Sequence, residues 1–225
     1  MDWQALTLSL KLALLTSLLL LPVAIVMARA LAYGRFAGKS LLEALVLLPL
    51  VLPPMVLGYY LLLMFSPATG FGSAVASLFG APLVFSFTGI LIASIIANIP
   101  FAVQPMARSF EAIPENVREA AYVSGLSRFE TFKKIELPLA WPGIVTGLAL
   151  VFAHTLGEFG VVLMMGGNIP GVTRTLSIAI YDSVQGFKFP QAALMSAVLV
   201  VFASLIVALV LAVSRRSALA PERRS

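Results

Sequence analysis

Cysteine is absent from the 225 residues, which excludes a disulfide framework, a thiolate metal site and thiol chemistry. Histidine occurs once, at His154, so no metal centre or acid–base pair built on histidines is expected within one chain. The Gly-x-x-x-x-Gly-Lys-Ser/Thr phosphate loop is also missing, and with it the expectation that this chain hydrolyses ATP. Charge is scarce. Asp, Glu, Lys and Arg make up 11% of the residues against 60% hydrophobic, and the mean hydropathy is +1.01. No water-soluble core needs so much apolar surface, so the composition is that of an all-α polytopic membrane protein surrounded by lipid. The net charge of +5 is spread over short loops, a distribution that follows membrane topology and gives no footprint for nucleic acid.

What is present is a succession of long apolar runs. Residues 6–31 form the first expected span. Ala28-Arg29-Ala30 has the look of a cleavage site, but the run is too long and Met1-Asp2-Trp3 lacks the basic start of a signal peptide. Residues 33–40 are a basic turn. Residues 41–65 form the second span, interrupted by Pro49 and Pro53-Pro54, and residues 66–82 an uncharged loop rich in Gly, Ser and Pro. Residues 83–106 form the third span, broken at Pro100 and Pro105. Residues 143–165 form the fourth. Residues 166–190 are polar with a short interfacial helix expected over 176–184, and residues 191–213 form the fifth span before a basic tail. About five transmembrane helices in one membrane domain, 1–225, are expected.

An odd number of spans puts the termini on opposite sides. If the large loop between the third and fourth spans is cytoplasmic, only Lys11, Arg174 and Lys188 of the fifteen basic residues lie outside and twelve lie inside. The excess of Lys and Arg in cytoplasmic loops then predicts an outside N-terminus and a cytoplasmic C-terminus.

That loop is the longest charged interruption in the chain. Pro114 suits a first helical position, and Glu115 and Glu119 favour the positive end of the helix that follows. Gly125 marks its stop in a left-handed conformation. Ser127 and Glu130 have the spacing of a capping box that restarts a helix, and Leu137, before Pro138, is biased away from helix. Local physics alone allows an amphipathic loop on the membrane surface. Glu119-Ala120-Ala121, then Gly125, then Ile135-x-Leu137-Pro138 resembles the EAA loop of ABC importer permeases. The resemblance implies a type I importer permease fold. In it Glu119, Ala120, Ala121, Gly125, Leu137 and Pro138 belong to a cytoplasmic coupling helix that docks into an ATPase subunit.

Polar residues at membrane depth are functional candidates. Asn98 lies beside Pro100, and His154 and Glu158 are spaced to share a helix face. Pro49, Pro53, Pro54 and Pro100 either are packing kinks or bend helices around a pathway. Glu158 is expected to gate or brace by pairing with Arg174, because a bare carboxylate repels an anion. Thr173, Arg174 and Thr175 either form an ordinary polar loop or meet an oxyanion through charge-assisted hydrogen bonds. Leu156-Gly157-Glu158-Phe159-Gly160 and the segment from Gly167 to Thr175 resemble the oxyanion branch of the same permeases. Leu48 to Pro54 with Gly58-Tyr59 is more similar to the molybdate than to the sulfate permeases. The resemblance implies a homodimer, two ATP-binding subunits that carry the ATP and Mg, and a periplasmic or extracellular oxyanion-binding protein. In that picture the chain is no enzyme and holds no cofactor or metal, and it sits in the bacterial inner membrane. Sulfate, tungstate or thiosulfate is the alternative cargo. An ATP-independent channel or secondary transporter is the alternative class.

Overall fold

The computed structural model describes the backbone of residues 1–218 and the side chains of residues 1–208. The basic tail therefore falls outside the described residues at Arg223 and Arg224, as do the side chains of Arg215 and Arg216. Helix is the only regular structure among the described residues.

Three helices are long and apolar enough to cross a bilayer. Helix α1 spans Trp3–Tyr33, α5 spans Phe87–Glu111 and α12 spans Phe189–Ala218. Asp2 caps α1 by accepting the Ala5 N–H at 2.9 Å, satisfying one of the free donors at the helix start. Helix α1 packs on α5 and α9 and buries small residues, Ala13, Ala24 and Ala28. With little driving force between helices in lipid, small side chains permit the close backbone approach that packing needs.

The expected second span is two helices, α2 at Lys39–Val51 and α3 at Pro54–Phe65, bent by 111°. Leu52 and Pro53 are extended, with ψ of 138° and 134°. A residue before proline avoids the helical region, and two successive prolines remove two donors, so the break is local chemistry. Helix α4, Gly70–Phe79, occupies the uncharged stretch where only a loop is expected, capped by Thr69.

The expected fourth span is also broken. After the charged loop, α9 covers Trp141–Gly157, Glu158 is extended, and α10 covers Gly160–Gly166. The span count reaches five only if each bent pair is one span, with the run Arg128–Leu139 and α9 forming the second pair at 68°. Helix α11, Leu176–Gln185, stands where a short helix is expected over 176–184. Gly58 of α3 lies against α10, where an added Cβ would stand 2.8 Å from the Met164 Cβ and 2.9 Å from the Val161 Cα. Gly143 likewise seats the start of α9 on Ser109, whose hydroxyl accepts the Gly143 N–H at 3.1 Å.

In the charged loop, α6 spans Glu115–Val123 and α7 spans Arg128–Thr131. A π turn covers Phe132–Glu136 and α8 covers Leu137–Leu139. Pro114 is the residue that precedes α6, one place before the expected position. Leu137 corrects the sequence expectation: it is helical, at φ −64° and ψ −45°. Its N–H reaches back five residues to the Phe132 carbonyl. The widened turn stands where Pro138 lacks a donor and its ring would crowd an α-helical ladder, so the chain continues as helix through the proline.

Candidate functional site

The two broken spans meet at α5. Asn98 is fully buried, and its amide donates to the Ser94 carbonyl at 2.8 Å and to Glu158 Oε2 at 3.4 Å. Its Oδ1 lies 3.1 Å from His154 Nδ1, and His154 Nδ1 lies 3.9 Å from Glu158 Oε2. The His154 ring stacks on Phe101 with centroids 4.1 Å apart. Asn98 and the pair His154 and Glu158, singled out on different expected spans, thus form one polar clasp.

The clasp borders a cavity of about 90 Å³ lined also by Pro49, Leu52, Pro54 and Phe101. Pro49, inside α2, and Pro54, at the start of α3, therefore line the same space as His154 and Glu158. Gly160 lets α10 begin against Pro54, with an added Cβ only 2.8 Å from the proline Cβ. Glu158 is held at a helix end, its side chain 2% exposed, whereas His154 is 37% exposed. The arrangement sets one carboxyl and one imidazole at the wall of that cavity.

Arg174 does not pair with Glu158. It binds Asp182 at 2.7 Å and Asp2 at 3.5 Å, which ties the 166–175 segment to α11 and to the start of α1. The Thr173 hydroxyl donates to the Gly166 carbonyl at 2.7 Å and accepts the Ile169 N–H at 3.2 Å. Thr175 precedes α11 with its hydroxyl buried and unbonded, and the next N–H, of Leu176, goes to Ser9 Oγ at 2.8 Å. Thr173 and Arg174 thus staple the loop, and the Arg174 guanidinium is engaged by two carboxylates. Asp2 lies at the other end of the chain from Arg174 and Asp182 is eight positions on, beyond one helical turn, so spacing alone could not reveal the pairing.

The loop has the expected local chemistry. Gly125 is left-handed at φ +84°. Around it the Gly125 N–H bonds the Tyr122 carbonyl and the Leu126 N–H bonds the Ala121 carbonyl, a glycine-terminated helix end. An added Cβ at Gly125 meets nothing within 4 Å. The capping box is complete, with Ser127 Oγ accepting from the Glu130 N–H at 3.2 Å and Glu130 accepting from the Ser127 N–H at 3.1 Å. These bonds, led by the Ser127 backbone and joined by Lys134, hold the Glu130 carboxyl down at about 2. Ala121 is buried, while Glu119 and Ala120 face outward, and the tip exposes Val123 (89%) and Phe129 (71%).

One residue was missed. Glu136 is fully buried and bonded to Arg29 at 2.6 Å and 3.2 Å, with Arg118 at 3.3 Å. It stands at the unspecified place between Ile135 and Leu137. The only sequence signal was a carboxylate among otherwise apolar neighbours.

Comparison with known proteins matches residues 20–223 to a family described as binding-protein-dependent transport system inner membrane component. The molybdenum transport system permease protein of Azotobacter vinelandii is 44% identical over 205 residues, 91% of each chain. That of Escherichia coli K12 is 39% identical over 184 residues, 82% of this chain and 80% of the other. The sulfate transport system permease protein CysT of Salmonella typhimurium is 35% identical over 175 residues, covering 78% of this chain but 63% of the other. Among solved structures, a bacterial ABC transporter that imports alginate superposes with a TM-score of 0.76 at 22% identity, over 95% of this chain and 78% of that one. An amino acid ABC transporter superposes at 0.64 and 18%, over 94% and 92%. The architecture is that of a type I importer permease.

Proposed function

The chain belongs to the inner membrane components of binding-protein-dependent transport systems, and from that premise we propose that it is the permease through which an ATP-driven importer moves molybdate by alternating access. The observation that carries the cargo is the 44% identity to a molybdenum permease over 91% of both chains. The sulfate permease relative is less similar and extends well beyond the matched region. In this reading residues 1–225 act as one permease domain. Two copies enclose the path, because five spans are too few to shield it from lipid. A soluble oxyanion-binding protein delivers the anion, and two ATPase subunits carry the ATP and Mg.

The exposed apolar tip of the charged loop supports the ATP-driven reading. Val123 and Phe129 stand in the open beside the left-handed Gly125, an arrangement suited to a partner's groove. A channel or secondary transporter needs no such socket. The positive-inside count supports a cytoplasmic loop and an outside N-terminus.

The test is co-expression with the ATPase and binding protein encoded beside it, purification of the complex, and uptake of labelled molybdate into proteoliposomes. ATP-dependent uptake that excess molybdate suppresses, but excess sulfate does not, is the expected outcome. Suppression by sulfate at equal concentration transfers the assignment to sulfate, and uptake without ATP sinks the importer reading.

A further inference from the structure

The buried carboxylate of Glu136 draws together elements that otherwise meet little. Arg29, near the last turn of α1, reaches it with Nε–H and Nη2–H at 2.6 Å and 3.2 Å. Arg118, in the middle of α6, approaches with Nε at 3.3 Å and lies over the Tyr33 ring at 3.7 Å. The Tyr33 hydroxyl donates to the Phe110 carbonyl at the end of α5 at 2.7 Å. The backbone neighbours of α6 are chiefly α7 and the π turn; beside the apolar packing of Val117, the Arg118–Glu136–Arg29 triad is its polar tie to α1.

Stability alone explains this arrangement poorly. Taking a carboxylate out of water costs several kcal/mol, and apolar residues of similar volume often serve as well or better. The carboxylate is also delivered by a π turn, a form concentrated at functional sites. We propose that Glu136 is a positioning residue of the transport cycle. Through Arg118 and Arg29 it clamps α6 to the inner end of α1, so that the loop and the first span move as one body. The inference rests on the permease reading above, in which an ATPase drives this loop.

The experiment uses the assembled complex in proteoliposomes and measures ATP hydrolysis and molybdate uptake together. Glu136→Gln keeps the size of the side chain and removes its charge. ATPase association and hydrolysis are expected to persist while uptake per ATP falls about tenfold, the scale on which residues along a coupling route act. A purely structural role would instead lower the amount of assembled complex and leave the ratio alone. An unchanged ratio overturns the proposal.

A second arm leaves the triad intact. Ala30 and Tyr122 line one cavity of about 700 Å³ between α1 and α6. Ala30→Cys with Tyr122→Cys, bridged by a flexible bifunctional maleimide, is expected to transport normally, since the joined parts already move together. Loss of uptake on bridging, with hydrolysis retained, overturns the proposal even if Glu136→Gln does not assemble. The unmodified complex separates the two levels. If it takes up no anion, the permease reading fails. If it transports and Glu136→Gln transports with the same ratio, only the clamp fails.

Discussion

Asn98→Ala removes the centre of the polar clasp while leaving every helix intact. The amide makes two contacts across helices, to Glu158 at 3.4 Å and to His154 at 3.1 Å, and one within its own helix to Ser94 at 2.8 Å. Interhelical hydrogen bonds in membranes average about 0.6 kcal/mol and reach about 1.7, so losing two costs about 1–3 kcal/mol. For a chain of this size each kcal/mol lowers the unfolding midpoint by about 2–4 °C, which places the expected drop at about 2–12 °C. Asn98→Asp should cost more, because it sets a second carboxylate within hydrogen-bond distance of Glu158. The assay is thermal unfolding of the detergent-solubilised complex, paired with uptake in proteoliposomes. Both variants should also impair uptake, since Glu158 and His154 border the passage between the bent helices. A wild-type midpoint and wild-type uptake for Asn98→Ala would show that the clasp neither braces nor gates.

Gly125→Asp should insert normally yet weaken capture of the ATPase subunit in a pull-down. The left-handed backbone costs an L-residue about 1–2 kcal/mol, and the open space around its Cβ leaves only an external partner to obstruct. Normal capture with normal uptake would remove the coupling role. Arg174→Gln and Asp182→Asn should be non-additive in thermal midpoint, whereas Arg174→Gln and Glu158→Gln should add; coupling in the second pair would contradict the observed pairing. Glu130 contributes to the capping box fully above its ordinary value of 4.5, and the contribution is lost as pH falls through about 2. Isotope-edited infrared titration against Glu130→Gln should find that low midpoint, and one near 4.5 would refute the cap. Because the chain has no cysteine, single cysteines report topology cleanly. Those at Ser73 and Gln185 should react with an impermeant reagent added outside and that at Ser127 should not, and labelling of Ser127 would reverse the orientation.

The features legible from sequence were those decided within a few residues. Long apolar runs marked α1, α5 and α12, and Ser127 with Glu130 and Gly125 marked a cap and a helix end, because a donor, an acceptor or a missing Cβ acts on its own neighbours. Pro53 and Pro54 announced a break but not its 111° angle. The break at Glu158 had no proline to announce it. Partners of buried charges were the least legible: Arg29 and Glu136 lie 107 positions apart, and only helix packing brings them together.

Glu136 shows how such a residue escapes notice. On an unbroken α-helix at about 100° per residue, position 136 falls within about 20° of position 129. Phe129 is 71% exposed, and Lys133, on the same stripe, is exposed too. A helical wheel therefore assigns Glu136 to the solvent face, where a glutamate calls for no explanation. The π turn inserts one extra residue per turn and shifts everything after it by about that 100° step, which carries the carboxylate inward to two arginines. The expectation that Leu137 is biased away from helix failed for the same reason, since the proline after it is accommodated by the widened turn. Both errors arose because one change of helical period, invisible to residue preferences, altered the facing of a charged residue and the backbone before a proline at once. The residue it turned inward joins the arginines of α1 and α6.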